Sequence, residues 1–194
     1  FHTLFNIFTT LLLIPFSGSL VKLSRLVIRD KKAVNEFSVK YIDERILQTP
    51  AIALAQLIKE MTYMLEVAQR ALDKSMENFI KRTEDEEPVR KDLREINYLS
   101  GKVTDYLIKL SEEDMSHNDE LTVSSLYKVL NDILRVADFS NNIMRHLRVA
   151  IANELYFSAE GLNEIREMYA LVDELFKDVN YSFANRTVRL LAKI

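Results

Sequence analysis

Between Asn131 and Asn142 the polar side chains Asn131, Asp132, Arg135, Asp138, Asn141 and Asn142 stand among apolar positions. The chemistry open to such groups is the binding of a hard cation, because carboxylate and amide oxygens are the ligands that divalent ions of this kind take. Asp132 and Asp138 are the candidate metal ligands. A hard cation needs several oxygens, however, and the residue one helical turn before Asp138 is Leu134, so further ligands have to be recruited from elsewhere. The competing reading is a solvated helix face on which Asp138 contacts Arg135 or Asn142, and it carries more weight.

Other chemistry is hard to assemble from this chain. A carboxylate-bridged di-iron centre in a helical bundle requires Glu-x-x-His on facing helices. Only Asp114-x-x-His117 comes near that pattern, in a stretch that reads as a loop. There is no Gly-rich phosphate loop and no G-x-S-x-G elbow, and the 3 His do not form a metalloprotease pattern. With Cys 0, thiolate nucleophiles, disulfides and Cys-ligated zinc are excluded. We assign no catalytic residue and expect no enzyme. A formal charge of −3 gives no global positive field to draw the chain onto nucleic acid, so none is expected as a partner.

The elements that position these residues are helices. Only 3 Gly and 3 Pro punctuate 194 residues, and no segment alternates apolar and polar residues convincingly. Thr49-Pro50 pairs a capping residue with Pro at the first helical position, where its missing N–H costs nothing. From there Leu54, Leu57, Ile58, Met61, Leu65, Ala68, Leu72, Met76 and Phe79 repeat at three- and four-residue steps, predicting one buried face to about Arg82. A second helix is expected from the acidic run Thr83 to Pro88, with Thr83 as its capping residue and Val89, Leu93, Ile96, Val103, Leu107 and Leu110 on its face. A third starts near Asn118 and carries the candidate ligands. Ser158 caps a fourth, whose apolar stripe includes Leu162, Ile165, Val172, Leu175, Phe176, Val179 and Phe183. Asn185 or Thr187 is expected to open a fifth. Short loops between long amphipathic helices predict an antiparallel bundle.

The first part of the chain differs in character. No charged side chain occurs from Thr3 to Val21, and such a helix would reach roughly 28 Å, close to the hydrocarbon thickness of a bilayer. Lys22, Arg25, Arg29, Lys31 and Lys32 follow, which assigns that side to the cytoplasm. A signal peptide would carry its basic residues before the apolar run instead. An interfacial or core helix is the alternative. Pro15 and the Ser17-Gly18-Ser19 group are able to bend or end the helix, and Thr3, Asn6, Thr9 and Thr10 form a polar side suited to packing on other membrane helices. The expected organisation is therefore a transmembrane helix over 1–28, a charged connector over 29–48 and a helical bundle over 49–194. The chain reads as a piece of a larger protein.

Three short patterns, in order, resemble one family. Asn131-Asp132-Ile133-Leu134-Arg135-Val136-Ala137-Asp138 resembles the Asn-Asp-Leu-Glu-Arg-Ile-Gly-Asp stretch of PhoU-like proteins. Tyr41 to Ala51 is similar to the connector joining a membrane domain to a PhoU-like domain in bacterial sodium/phosphate cotransporter proteins. His2-Thr3-Leu4-Phe5-Asn6 is similar to the His-x-x-Phe-Asn opening of a late transmembrane helix in that family.

The resemblance implies an all-α, PhoU-like bundle acting as a cytoplasmic regulatory or interaction module. It would be the C-terminal part of a sodium-dependent transporter of inorganic phosphate in the inner membrane. Its implied partners are membrane lipids, the other transmembrane helices of the same protein, a second copy in a homodimer, and sodium and phosphate for the parent. The family's Gln-Ser-Ser segments, associated with substrate and ion binding, have no counterpart here, so substrate-binding residues are expected upstream. PhoU-like proteins bind divalent or iron-type metal through Glu or Asp followed four residues later by Asp. Leu134 replaces that first carboxylate, leaving Asp138 and Asp132. PhoU itself has two three-helix bundles, of which this chain holds one and part of another. The alternative function is a membrane-anchored helical adaptor of phosphate signalling without transport activity.

Overall fold

The structure, a computed structural model, describes residues 2–13 and 36–185. The chain divides into two compact units, Phe1–Glu36 and Phe37–Ile194. In the first, α1 (His2–Leu13) has 12 residues, about 18 Å at helical rise. Thr9 returns its hydroxyl to the Phe5 carbonyl at 2.8 Å, so this polar group is satisfied within its own helix. Among the described residues no helix is long and apolar enough to cross a membrane. The rest of the expected 1–28 span, with Pro15, the Ser17-Gly18-Ser19 group and the cation cluster, lies outside the described residues.

The second unit holds α2 (Pro50–Lys81), α3 (Glu87–Ser111), α4 (His117–Ala152) and α5 (Ala159–Ala184), with a single 3-10 turn, Glu44–Ile46, before them. No strand occurs among the described residues. Helices α2, α3 and α4 pack against one another around one core, and α5 lies chiefly along α2. The directions alternate. Tyr63 meets Glu95 while Lys74 meets Asp92 across α2 and α3, and Asp73 meets Tyr169 while Gln69 meets Asn180 across α2 and α5.

Pro50 opens α2 as expected, but the Thr49 side chain makes no cap bond; its carbonyl takes the Ile52 and Ala53 amides at 2.9 and 3.0 Å. The sequence expectation places Thr83 at the start of α3, and the structure corrects this. Thr83 closes α2 instead. Its N–H reaches the Asn78 carbonyl at 2.9 Å and its hydroxyl the Asn78 Oδ1 at 2.7 Å, while Arg82 takes the left-handed conformation at φ 55. This is the helix-ending geometry usually given to glycine. Ser116 and Ser158 cap α4 and α5, accepting the amides of Asp119 at 3.3 Å and Gly161 at 3.0 Å.

Leu57, Met61, Met64, Ile96, Leu99 and Leu107 are among the fully buried side chains. Each contributes about 1.5–3 kcal/mol from removal of apolar surface from water. The expected face of α2 is buried except for half-buried Phe79, and Met64, Val67, Ala71 and Ser75 are buried as well. Helix α2 is covered on more than one side because it touches every other helix of the bundle. The expected stripe of α5 is not covered in this way. Its Leu162, Ile165, Val172, Phe176 and Phe183 are half-buried, Leu175 and Val179 are exposed, and Ser182 is the helix's buried residue. Asn185 ends α5 rather than opening a further helix; a helix from Thr187 falls outside the described residues.

Candidate functional site

The connector does not stand apart from the bundle. Residues 37–48 belong to the same compact unit, and a fully buried carboxylate on α2 fastens them there. Glu60 accepts the backbone amides of Lys40 at 2.9 Å, Tyr41 at 2.6 Å and Ile42 at 3.2 Å. Successive N–H groups turned onto one anionic oxygen form a concave anion cradle, and their hydrogen bonds offset the cost of burying the charged carboxylate. Leu47 is buried, and Val39, Ile42 and Ile46 pack on the core beside it. The Tyr106 hydroxyl donates to the Asp43 carbonyl at 3.3 Å, and Lys109 pairs with Glu44 at 2.7 Å, tying the same segment to α3.

From Lys40 a polar chain runs into the α2–α3 interface. The Lys40 ammonium lies 3.2 Å above the centroid of the Tyr63 ring, an attraction between cation and ring face. The Tyr63 hydroxyl donates to Glu95. Arg70 bridges Glu95 at 3.3 Å and Asp92 at 2.9 Å, and Lys74 takes the other Asp92 oxygen at 2.7 Å. Asp92 is only 2% exposed, so two cations and their hydrogen bonds are what make its burial tolerable. Burial, and then the hydrogen bond to Glu95, push the Tyr63 hydroxyl up to about 12. Burial and the nearby Asp43 likewise push Tyr106 up to about 12, while hydrogen bonds from Arg45 hold Asp43 down at about 2.

A second feature lies on the opposite use of α2. An apolar groove of about 820 Å³ runs between α4 and α5 with α2 as its floor, lined by Leu65, Val129, Ile133, Leu175, Phe176 and Val179 among others. Asp132 lies on its wall and is the charged member of the lining. Alongside the groove α5 is held to α2 by polar clasps. Gln69 donates to Asp173 at 3.0 Å and accepts from Asn180 at 2.8 Å, and Tyr169 donates to Asp73. Burial raises both Asp73 and Tyr169.

The residues singled out in the sequence fall elsewhere. Asp132 and Asp138 are both exposed on α4, and Arg135 contacts Asp132 at 3.6 Å rather than Asp138. Asn131 turns its amide back to the Tyr127 carbonyl at 3.0 Å. Asp114 sits in the α3–α4 loop, while His117, largely exposed, opens α4 beside Glu120 at 3.6 Å. Among the described residues no group of three or more His, Asp or Glu is placed to hold a metal ion. Glu60, Tyr63, Asp92 and Glu95 were missed by sequence reading. Their signal was available: Glu60 interrupts the buried face between Leu57 and Met61, where a charge needs a partner.

Among the described residues these features define an all-helical bundle, and part of it is similar to a known domain family. The family model described as PhoU domain matches residues 61–147, which take in α2 from Met61, all of α3 and most of α4. Over 186 residues the chain is 19% identical to the protein named "Putative inorganic phosphate export protein YjbB" of Salmonella typhimurium, covering 95% of this chain and 34% of that protein. It is 23% identical over 175 residues to the proteins of the same name in Escherichia coli strain K12 and Shigella flexneri, covering 87% of this chain and 32% of each. The chain thus spans about a third of the length of these curated relatives. No solved structure matches it.

Proposed function

We propose that this chain is part of a protein that moves inorganic phosphate across the inner membrane, and that its bundle is a cytoplasmic regulatory module. The observation that carries this reading is similarity over 95% of the chain to a protein named for phosphate export, of which the chain spans one third. The PhoU domain over residues 61–147 supports the regulatory role. In this reading the 1–28 segment is a late transmembrane helix. The Glu60 cradle is the mechanical link, since whatever moves α2 also moves residues 40–42 and the chain that leads to the membrane. Coupling to sodium belongs to the same proposal, as the family resemblance implies it.

The test is phosphate flux through the full-length parent protein in proteoliposomes, with and without a sodium gradient. Flux that depends on the parent supports transport; its absence overturns transport in favour of a membrane-anchored adaptor. Flux indifferent to sodium removes the coupling alone. Glu60→Ala in the parent is expected to alter the rate while the protein still inserts, and an unchanged rate would refute the link.

A further inference from the structure

The α4–α5 groove has a shape and a charge pattern that together describe an occupant. Its α4 wall runs from Thr122 to Val136 and its α5 wall from Val172 to Phe183. At helical rise these walls reach roughly 17–21 Å, the length of a helix of about eleven to fourteen residues. The floor and walls are chiefly apolar, and along the α5 lip Leu171 is 63% and Leu175 44% exposed. Apolar surface left to water in a trough between two helices suits the apolar face of a third.

Charge is segregated at the two lips. On α5, helical spacing puts the exposed Glu174 and Asp178 on the solvent side of the groove, about 60–100° round from Leu175. Arg166 and Lys177 fall on the other side of that helix, and Lys177 is held by Asp173 at 2.7 Å. On α4 the same spacing puts the exposed Lys128 and Arg135 on the outer lip, about 40–60° round from Asp132. Asp132 stands between them and the groove, 3.6 Å from Arg135. One lip is therefore acidic and the other basic. A second copy fits this pattern poorly. Antiparallel pairing of α5 with its own copy sets the Glu174 and Asp178 edges against each other, and two copies meeting groove to groove leave both troughs empty.

We propose that the α4–α5 groove docks an amphipathic helix of a partner protein, one whose apolar stripe is bordered by Lys or Arg on one edge and by Asp or Glu on the other. The apolar stripe covers Val129, Leu175 and Val179. Its basic edge meets Glu174 and Asp178, and its acidic edge meets Lys128 and Arg135. The opposite signs of the lips fix which way the helix runs. This inference is independent of the phosphate reading.

Two synthetic helical peptides of about fourteen residues, sharing one leucine stripe, are the probes. The first carries Lys along one edge and Glu along the other; the second carries Glu along both. Fluorescence anisotropy of the labelled peptides is read against the full chain. The first is expected to bind about tenfold more tightly than the second, with the difference shrinking as salt is raised. Glu174→Lys combined with Asp178→Lys should reverse that order, and Leu175→Asp should weaken both peptides about tenfold, with circular dichroism showing that each variant keeps its helices. Equal binding of the two peptides would overturn the proposal. So would a preference that the lysine pair leaves unchanged, or binding indifferent to Leu175→Asp. Light scattering that shows a second copy covering the groove, with peptide binding lost as the copies associate, would overturn it as well.

Discussion

The buried carboxylate of Glu60 accepts the Tyr41 amide at 2.6 Å, across a sequence separation of nineteen residues. One side chain of α2 thus closes the backbone of the connector, and its neighbours Lys40 and Ile42 share the same acceptor. Glu60→Ala strips three amides of their partner at once. We expect a loss of about 2–3 kcal/mol, since hydrogen bonds to a charged acceptor are the strong ones and water recovers part of the cost at the exposed connector. Glu60→Gln keeps an acceptor oxygen and should cost about 1 kcal/mol. Urea unfolding gives the two values, and limited proteolysis should cut residues 37–43 faster in the alanine variant.

Stability should fall in strong alkali through Tyr63 and Tyr106. Both hydroxyls are pushed to about 12, chiefly by burial, from an ordinary value of 10.0. The unfolded chain then releases these protons first, so the folded state is the more protonated one between those values. Their contribution is complete below about pH 10 and is lost as pH rises toward about 12. Tyr63→Phe should flatten that decline, and urea midpoints taken across the range measure it.

The hold of α5 on α2 rests on Gln69, which serves Asp173 and Asn180 together. Gln69→Ala should weaken α5 by about 1–2 kcal/mol without touching the three-helix core. Amides within residues 159–184 would exchange roughly tenfold faster, with α3 unchanged. Equal acceleration in both helices would show that α5 and the core open as one unit.

Arg82 closes two helices. It sits in the left-handed region at φ 55, donates to the Leu155 carbonyl and, at 3.3 Å, to the Ala150 carbonyl, and lies 4.1 Å from the Tyr156 ring centroid. Arg82→Ala keeps the backbone strain and loses these contacts, for an expected cost of about 2 kcal/mol. Arg82→Gly relieves about 1 kcal/mol of the strain and should be the milder change. Thermal unfolding of the pair separates backbone from side chain.

Much of the bundle was legible because amphipathic periodicity and capping are local. Pro50, Asn118 and Ser158 marked helix starts within a residue, and Leu54 through Met76 marked a face that is buried. Thr83 misled because a Thr before acidic residues suits either a helix start or the end of the previous helix; the Asn78 contacts decide between them. The candidate ligands Asp132 and Asp138 drew notice as polar groups on an apolar helix, yet both are exposed. Of the site residues that are buried, Asp92 looked like an ordinary surface charge, while Glu60 interrupts an apolar face without its pattern naming a partner.

The sequence by itself determined the helices, their order, and the apolar stripes that make α2, α3 and α4 a bundle, because each depends on residues three or four apart. Only the tertiary structure decided that Glu60 faces the amides of residues 40–42, that Asp92 is buried between Arg70 and Lys74, and that α5 leaves a groove against α4. These pairings join groups far apart in the chain. Which charges lose water, and which partners then compensate them, is fixed by how helices meet rather than by any one helix's pattern.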